Sequence, residues 1–405
     1  MALVTKNFSD IITFTRASTA TFFNSAGVLT SASNDVARFD YDPSTLAPLG
    51  LLIEESRTNS IRNNTMVGAV AGTPGTLPTN WGISTLGTLT SQVVGTGTSN
   101  GIDYIDIRFS GTTSTTQLSL RLEPNGTAAI AAVNGQTWTG SAWLALVGGS
   151  TTNIIQVGQS GLLWDAGGAF LGGGYPGPLS PSSITTNLTR FTASGTNAIV
   201  GTAFIQPQIY LVFASGVAID ITLRIGLPQL EQGAFATSVI PTTTTALTRS
   251  ADVASVNTLS PWFNSTSGTT YFEGVSFDTT SGGFPRANQF NDGTNNNVIQ
   301  ITRNNGSGTA RMSVVSGGSP QAAADATAWT LNATTKAALA YAANDFAIVA
   351  NGGAVTTDTS GTVPTVTAFS LGAGTPGIAQ LNGYLRRITY YPRRLSNAEL
   401  QTITA

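Results

Sequence analysis

Few side chains in this sequence could carry chemistry. Three carboxylate pairs lie close together: Glu54 with Glu55, Asp103 with Asp106, and Glu273 with Asp278. Glycoside hydrolysis needs two such groups, one as acid and one as base or nucleophile, at a fixed separation. Side chains alternate along a strand, so offsets of one, three and five put each pair on opposite faces. The expectation is solvated or arginine-paired carboxylates and no enzymatic activity, with no catalytic residue assigned. A pair formed between distant strands stays open. Histidine and cysteine are both absent. Their absence removes the usual general base, every histidine-containing triad, disulfides and thiolate metal sites.

Sugar recognition without hydrolysis needs an aromatic ring to stack on a pyranose, with amides or carboxylates for the hydroxyls. Trp164 and Tyr175 are the candidates, in LLWDAGGAFLGGGYPGP, a glycine-rich stretch read as a loop that presents both rings. The competing expectation is a loop folded back onto the edge of a sandwich. Trp138 and Trp143, five apart in WTGSAW, belong on opposite faces of a strand, with at least one in the core. Trp81, Trp262 and Trp329 are read as packing residues.

Calcium has one weak candidate site. FNDGTNNNVIQI brings Asp292 together with Asn295, Asn296 and Asn297 ahead of a strand. Oxygen-rich loops hold this cation, but a single carboxylate and the Asp292-Gly293 pair favour an ordinary turn. No other cofactor is implied. Arg386, Arg387, Arg393 and Arg394 form the one cationic cluster. Arg386 and Arg387 face opposite ways on a strand, so surface or interface pairing is expected rather than a basic patch.

The elements that must position these residues are short strands. Within 405 residues only 9% are charged, while 41% are apolar, which is unlike a disordered chain. Ile105, Ile107 and Phe109 alternate with Asp106 and Arg108, the pattern of a strand buried on one face. Many such runs separated by Gly, Asn and Pro point to an all-β protein built of antiparallel sandwiches. The net charge of −2 argues against nucleic-acid binding. Only two lysines occur, Lys6 and Lys336; arginine supplies the other cations and suits subunit contacts. The amino terminus lacks the pattern of a signal peptide. No window approaches the roughly 20 apolar residues of a spanning helix. A soluble product of the cytoplasm is expected, without membrane insertion. One helix is predicted at the carboxyl end, with Ser396 and Glu399 as a capping box and Leu395 stapled onto Leu400.

Three passages resemble known families. The first, FTRASTATFFNSAGVLTSASNDVARFDYDPSTLAPLGLLIEESRTN, includes Phe14, Arg16, Thr21, Gly27, Arg38, Asp40, Gly50, Glu54, Arg57 and Asn59. It is similar to a segment near the start of tailed-bacteriophage tail-fibre, head-fibre and spike-like proteins. The second, GLPQLEQGAFATSVIPTTTTALTRSADV, includes Pro228, Glu231, Gly233, Phe235, Pro241, Arg249 and Asp252. It resembles the closing strand and exit linker of carbohydrate-binding-module-like jelly rolls. The third, LNGYLRRITYYPRRLSNAELQTITA, includes Asn382, Gly383, Tyr384, Arg387, Tyr390, Ser396 and Glu399. It resembles the closing motif of concanavalin-like, laminin-G-type sandwiches.

The fold these resemblances imply is tandem antiparallel β-sandwiches, jelly-roll-like and then concanavalin/laminin-G-like, with a short C-terminal helix. The division expected is an anchoring segment over 1–61, a jelly roll over 62–252 and a second sandwich over 253–405. The implied role is a structural protein on the virion surface, made in the host cytoplasm, that attaches to host-surface polysaccharide. Its partners would be other capsid or tail proteins and copies of itself, with a trimer as the guess. Two rivals stand beside it: a decoration protein that stabilises the particle without binding glycan, and a polysaccharide depolymerase.

Overall fold

A computed structural model describes residues 7–277, 284–375 and 377–405. The chain is nearly all β, with antiparallel sheets and one eight-residue helix, Asn397–Thr404, at its end. It divides into two compact units. One comprises Met1–Gly27, Ser31–Ser56 and Ser250–Ala405, and the other comprises Val28–Thr30 and Arg57–Arg249. Of the amino-terminal segment, the residues up to Ser56 apart from Val28–Thr30 thus group with the carboxyl-terminal residues.

The unit holding both chain ends has two seven-stranded sheets. One runs in the spatial order Thr13–Thr15, Val253–Val256, Ala368–Leu371, Arg286–Asn291, Val298–Asn304, Thr309–Ser316, Ser319–Ala328. The other runs Thr356–Asp358, Asp345–Ala350, Thr335–Ala342, Ser267–Ser276, Gly383–Tyr391, Pro48–Ile53, Phe39–Tyr41. Phe14 pairs with Ala254, and Leu52 pairs with Tyr384. Strands from the first segment thus complete sheets built from the end of the chain, because their apolar faces have no core of their own.

Alternation sets what is buried. In Thr309–Ser316, Ala310, Met312 and Val314 enter the core with Phe272, Phe290 and Trp329. Thr335–Ala342 is buried on both faces. Leu339 and Tyr341 face that core, while Ala338 and Ala340 face the helix through Leu395 and Leu400. Alanines on that side leave room for the helix to approach. The helix starts as its sequence predicts: Ser396 Oγ accepts from the Glu399 amide, and the Ser396 amide donates to Glu399.

A buried ion network joins the two ends of the chain within this unit. The Asp252 carboxylate accepts from Arg16 at 3.2 Å, from Arg38 at 2.5 Å and from the Glu54 amide at 2.9 Å. Arg38 also pairs with Glu54 at 2.9 Å. Arg16 donates further to the carbonyls of Ser18, Ser33 and Val36. All four side chains are essentially inaccessible to water.

The second unit is a sandwich of a five-stranded and a six-stranded sheet. The first has the order Thr189–Thr196, Thr137–Gly149, Ala218–Gln232, Ile102–Thr112, Thr90–Ser99. The second has the path Phe170–Leu179, Ile154–Trp164, Phe204–Phe213, Gln117–Arg121, Gly82–Ser84, with Ile130–Ala131 paired beside it. Ile105, Ile107, Phe109, Ile221, Leu223 and Ile225 meet Leu118, Leu120, Val157, Leu163, Ile209 and Leu211 between them. Trp138 joins this core, whereas Trp143 is buried on the opposite face beneath the Arg190 guanidinium, 4.7 Å from its ring.

Two outcomes follow. Asp252→Ala should cost roughly 3–5 kcal/mol in denaturant unfolding, because it removes a buried carboxylate shared by Arg16 and Arg38 and leaves Arg38 with Glu54 alone; an unchanged midpoint would show that the network is dispensable. The Glu399 carboxyl is held down, to about 2, by Arg393 and the Ser396 cap. A depressed acid contributes stability above its unfolded value, here 4.5, and loses it as pH falls toward 2. The protection factor of the Leu400 amide, its exchange rate relative to an unfolded chain at the same pH, should therefore fall across that window, and fall less in Ser396→Ala.

Candidate functional site

The glycine-rich stretch is a β-hairpin rather than a loop. Trp164 ends one strand, Phe170 begins the next, and the Asp165 carboxylate caps the turn by accepting from the amides of Gly167 and Ala169. Tyr175 does not reach solvent. It lies in the core at 2% exposure, its ring packed over Gly140 and Gly161. Burial drives its hydroxyl far above the usual tyrosine range. Tyr175 is therefore corrected from candidate ligand residue to core residue, and the glycines are strand positions that make room for rings. Trp164 is buried too, but on the outer face of the six-stranded sheet, edge-on to the exposed Phe170 at 5.5 Å.

Register assembles the rest of that face. Core-facing Ile205, Ile209 and Leu211 alternate with Gln206, Gln208 and Tyr210, which point outward. Gln208 stands between Arg121 on one neighbouring strand and Ser160 on the other. Tyr210 stands between Ser119 and Gly158. Because Gly158 has no side chain, the Tyr210 ring lies across it; a Cβ there would sit 2.4 Å from the ring's Cζ. The ring is half-buried, and its hydroxyl accepts from Gln156 at 2.6 Å. The result is a flat aromatic platform of the kind that stacks on a sugar.

The polar groups beside it are only partly engaged. Gln208 donates to Ser160 Oγ at 3.0 Å and Gln206 donates to the Glu123 carbonyl at 2.6 Å, yet both Oε1 atoms are buried without a donor. The Trp164 indole N–H and the Arg121 Nε are buried without an acceptor. Arg121 reaches across the intervening strand until its guanidinium lies 6.0 Å from the centre of the Trp164 ring. Desolvation lowers its pKa. Buried polar atoms lacking a partner occur elsewhere too, at the Trp138 and Trp329 indoles among others, but here four of them share one sheet face beside an aromatic ring.

The remaining candidates disperse. Asp292 holds a turn: one oxygen accepts from Thr294 and the other from Asn297, and these bonds keep its carboxyl below the usual range. Asn295 turns to Gln289 and the Thr375 carbonyl, so the two do not converge as cation ligands. Glu54 is committed to Arg38, Glu55 to Asn382, Asp103 to Thr98, Asp106 to Arg224 and Glu273 to Tyr271. Asp278 lies outside the described residues. Arg386 and Arg387 go to different partners, Thr334 and Thr389, while Arg393 and Arg394 pair with Glu399 and Asp345. Trp329 is core, and Trp262 packs against Phe263 and Tyr390. Trp81 lines a half-open cavity of about 380 Å³ with Leu77, Ile83, Val93 and Ile107, where Ser91 and Gln92 are among the few polar groups.

No protein-family model matches this sequence, and no curated protein matches it. Solved structures align weakly. The Ruminococcus gnavus IT-sialidase CBM40 does so at TM-score 0.30 and 19% identity, over 35% of this chain and 84% of that one. Trypanosoma rangeli sialidase in complex with the inhibitor DANA aligns at 0.30 and 9%, over 79% of this chain and 69% of that one. The CBM22-1-CBM22-2 tandem domain of Paenibacillus barcinonensis Xyn10C aligns at 0.26 and 9%, over 85% and 98%. Similarity at this level assigns neither ligand nor activity to the chain.

The platform makes a steric prediction. Gly158→Ala should push the Tyr210 ring off the sheet and cost about 1–3 kcal/mol. Gly173→Ala on the adjoining hairpin strand, where a Cβ meets nothing within 4 Å, should be close to neutral. Equal midpoints for the two variants would mean that the ring does not rest on Gly158.

Proposed function

We propose that this chain is a structural protein of a bacteriophage particle, displayed on the virion surface, that attaches the particle to host-surface glycans without cleaving them. The observation that carries the glycan half is the outer face of the six-stranded sheet. There a half-buried tyrosine platform, an indole and two glutamines with free acceptors share one surface. The arrangement supplies stacking and hydrogen bonding, the two demands of a pyranose. The virion half rests on the resemblance of Phe14–Asn59 to phage fibre and spike segments. Contact with capsid or tail proteins and self-association belong to the same proposal, since weak sugar sites gain avidity when repeated. The non-catalytic half rests on carboxylates that are each tied to a different partner.

Purified protein should bind host cells and their extracted polysaccharide saturably, and the polymer should keep its length over time. Tyr210→Ala, with stacking lost, should weaken binding by roughly tenfold, equivalent to about 1.4 kcal/mol, and Trp164→Ala should also weaken it. Shortening of the polymer would instead make the protein a depolymerase. Binding to capsids with no response to polysaccharide would make it a decoration protein.

A further inference from the structure

We infer that this face recognises an acidic sugar residue, a sialic or uronic acid, whose carboxylate docks on Arg121. The inference rests on the glycan-binding reading and specifies the sugar. Across the six strands of the sheet, Arg121 is the only charged side chain. It has no hydrogen-bond or ion-pair partner among the described residues, and its Nε is buried. Glu123, two residues on from Arg121, is taken by the Arg62 amide and guanidinium, and Asp165, next to Trp164, by its own turn.

The contrast with the other sheet of the same sandwich is sharp. There Arg108 makes a two-bond pair with Asp220, Arg224 makes one with Asp106, and Arg190 binds the Thr237 carbonyl and Ser141. Arg121 has no hydrogen bond or ion pair comparable to these, at the cost of partial desolvation. A charge that has already given up part of its hydration loses less on meeting a counter-charge than a fully solvated one.

The neighbours decide which anion. A guanidinium fork matches a planar carboxylate in two parallel bonds. One positive charge neutralises one negative charge. The Gln206 and Gln208 Oε1 acceptors would repel a phosphate that brings no donors, whereas sugar hydroxyls beside the carboxylate would satisfy them. The Trp164 N–H is a further donor for a ring or glycosidic oxygen. Because the chain carries a net charge of −2, no general attraction to acidic polymers stands in for this site.

The test uses the full chain with polysialic acid and polygalacturonic acid, each native and carboxyl-reduced, beside dextran sulfate and the host polysaccharide. Thermal unfolding checks that Arg121→Gln and Arg121→Lys are folded. At least one native acidic polymer should bind roughly 10- to 100-fold tighter than its reduced form, the range expected of a charge-assisted bidentate pair. Arg121→Gln should erase that difference, and Arg121→Lys, keeping charge without the fork, should restore only part of it. Equal affinity for native and reduced polymers, or an unchanged preference in Arg121→Gln, overturns the inference and leaves glycan binding intact. So does binding to the host polysaccharide with none to either acidic polymer. Dextran sulfate binding as tightly and depending equally on Arg121 also overturns it, in favour of a general anion site. Binding to none of the polymers, host polysaccharide included, removes the glycan reading as well.

Discussion

The carboxylate of Asp252 is the constraint on which the unit holding both chain ends depends. It takes hydrogen bonds from Arg16, Arg38 and the Glu54 amide in a place that water does not reach. Two buried guanidinium groups could not be tolerated without it. The cluster joins Arg16 and Arg38 to a residue more than 200 positions away. Strands Thr13–Thr15 and Pro48–Ile53 pair close to it with Val253–Val256 and Gly383–Tyr391. A one-residue slip would already turn a strand's apolar side chains out of the core, and it would also separate buried charges, so the ion network adds a second penalty against the same error.

Glycine plays the corresponding part in the other sandwich. Gly140 and Gly161 admit Tyr175 to the core, and Gly158 lets Tyr210 lie flat on the outer face. The same device, an aromatic ring laid over a glycine on a neighbouring strand, serves packing on one side of the sheet and display on the other. Which outcome applies is decided by strand alternation, since Gly161 faces inward with Leu163 while Gly158 and Ser160 face outward.

Much of the fold was legible because its signals are local. The alternation in Ile102–Thr112 and the Ser396–Glu399 cap need only a few residues of context, and the structure shows both. Allegiance of the first segment was not legible: strands of three to six residues carry too little pattern to announce partners hundreds of residues away. The candidate site was half visible. Trp164 was singled out for its type, and it does lie on the face in question. Tyr175 was misplaced because glycines in FLGGGYPGP suggest a loop, when in a strand they mark close approach of a ring. Tyr210, Gln206 and Gln208 gave no signal, since their meaning comes from what register sets opposite them. Arg121 could have been found, had the strands been known, by noticing that no other charge lies on any of them.

The charge economy of the chain makes that last residue meaningful. With 18 cationic and 20 anionic side chains in 405 residues, each unmatched group is conspicuous. Most of the others are explained by folding: Arg16 and Arg38 hold the network, Arg108 and Arg224 lace two strands, and Arg393 and Arg394 secure the helix. Folding alone gives position 121 little need of a charge, for a partly desolvated guanidinium whose only partner is the Trp164 ring gains less than a paired one. The same is true of the buried acceptors on Gln206 and Gln208 and of the indole donor on Trp164. Each departs singly from the rules that a stable sandwich obeys, and all four occur on one face of one sheet. Departures of that kind cluster where a sequence answers to something other than its own stability, and that sets this face apart as the candidate over the cavity beside Trp81.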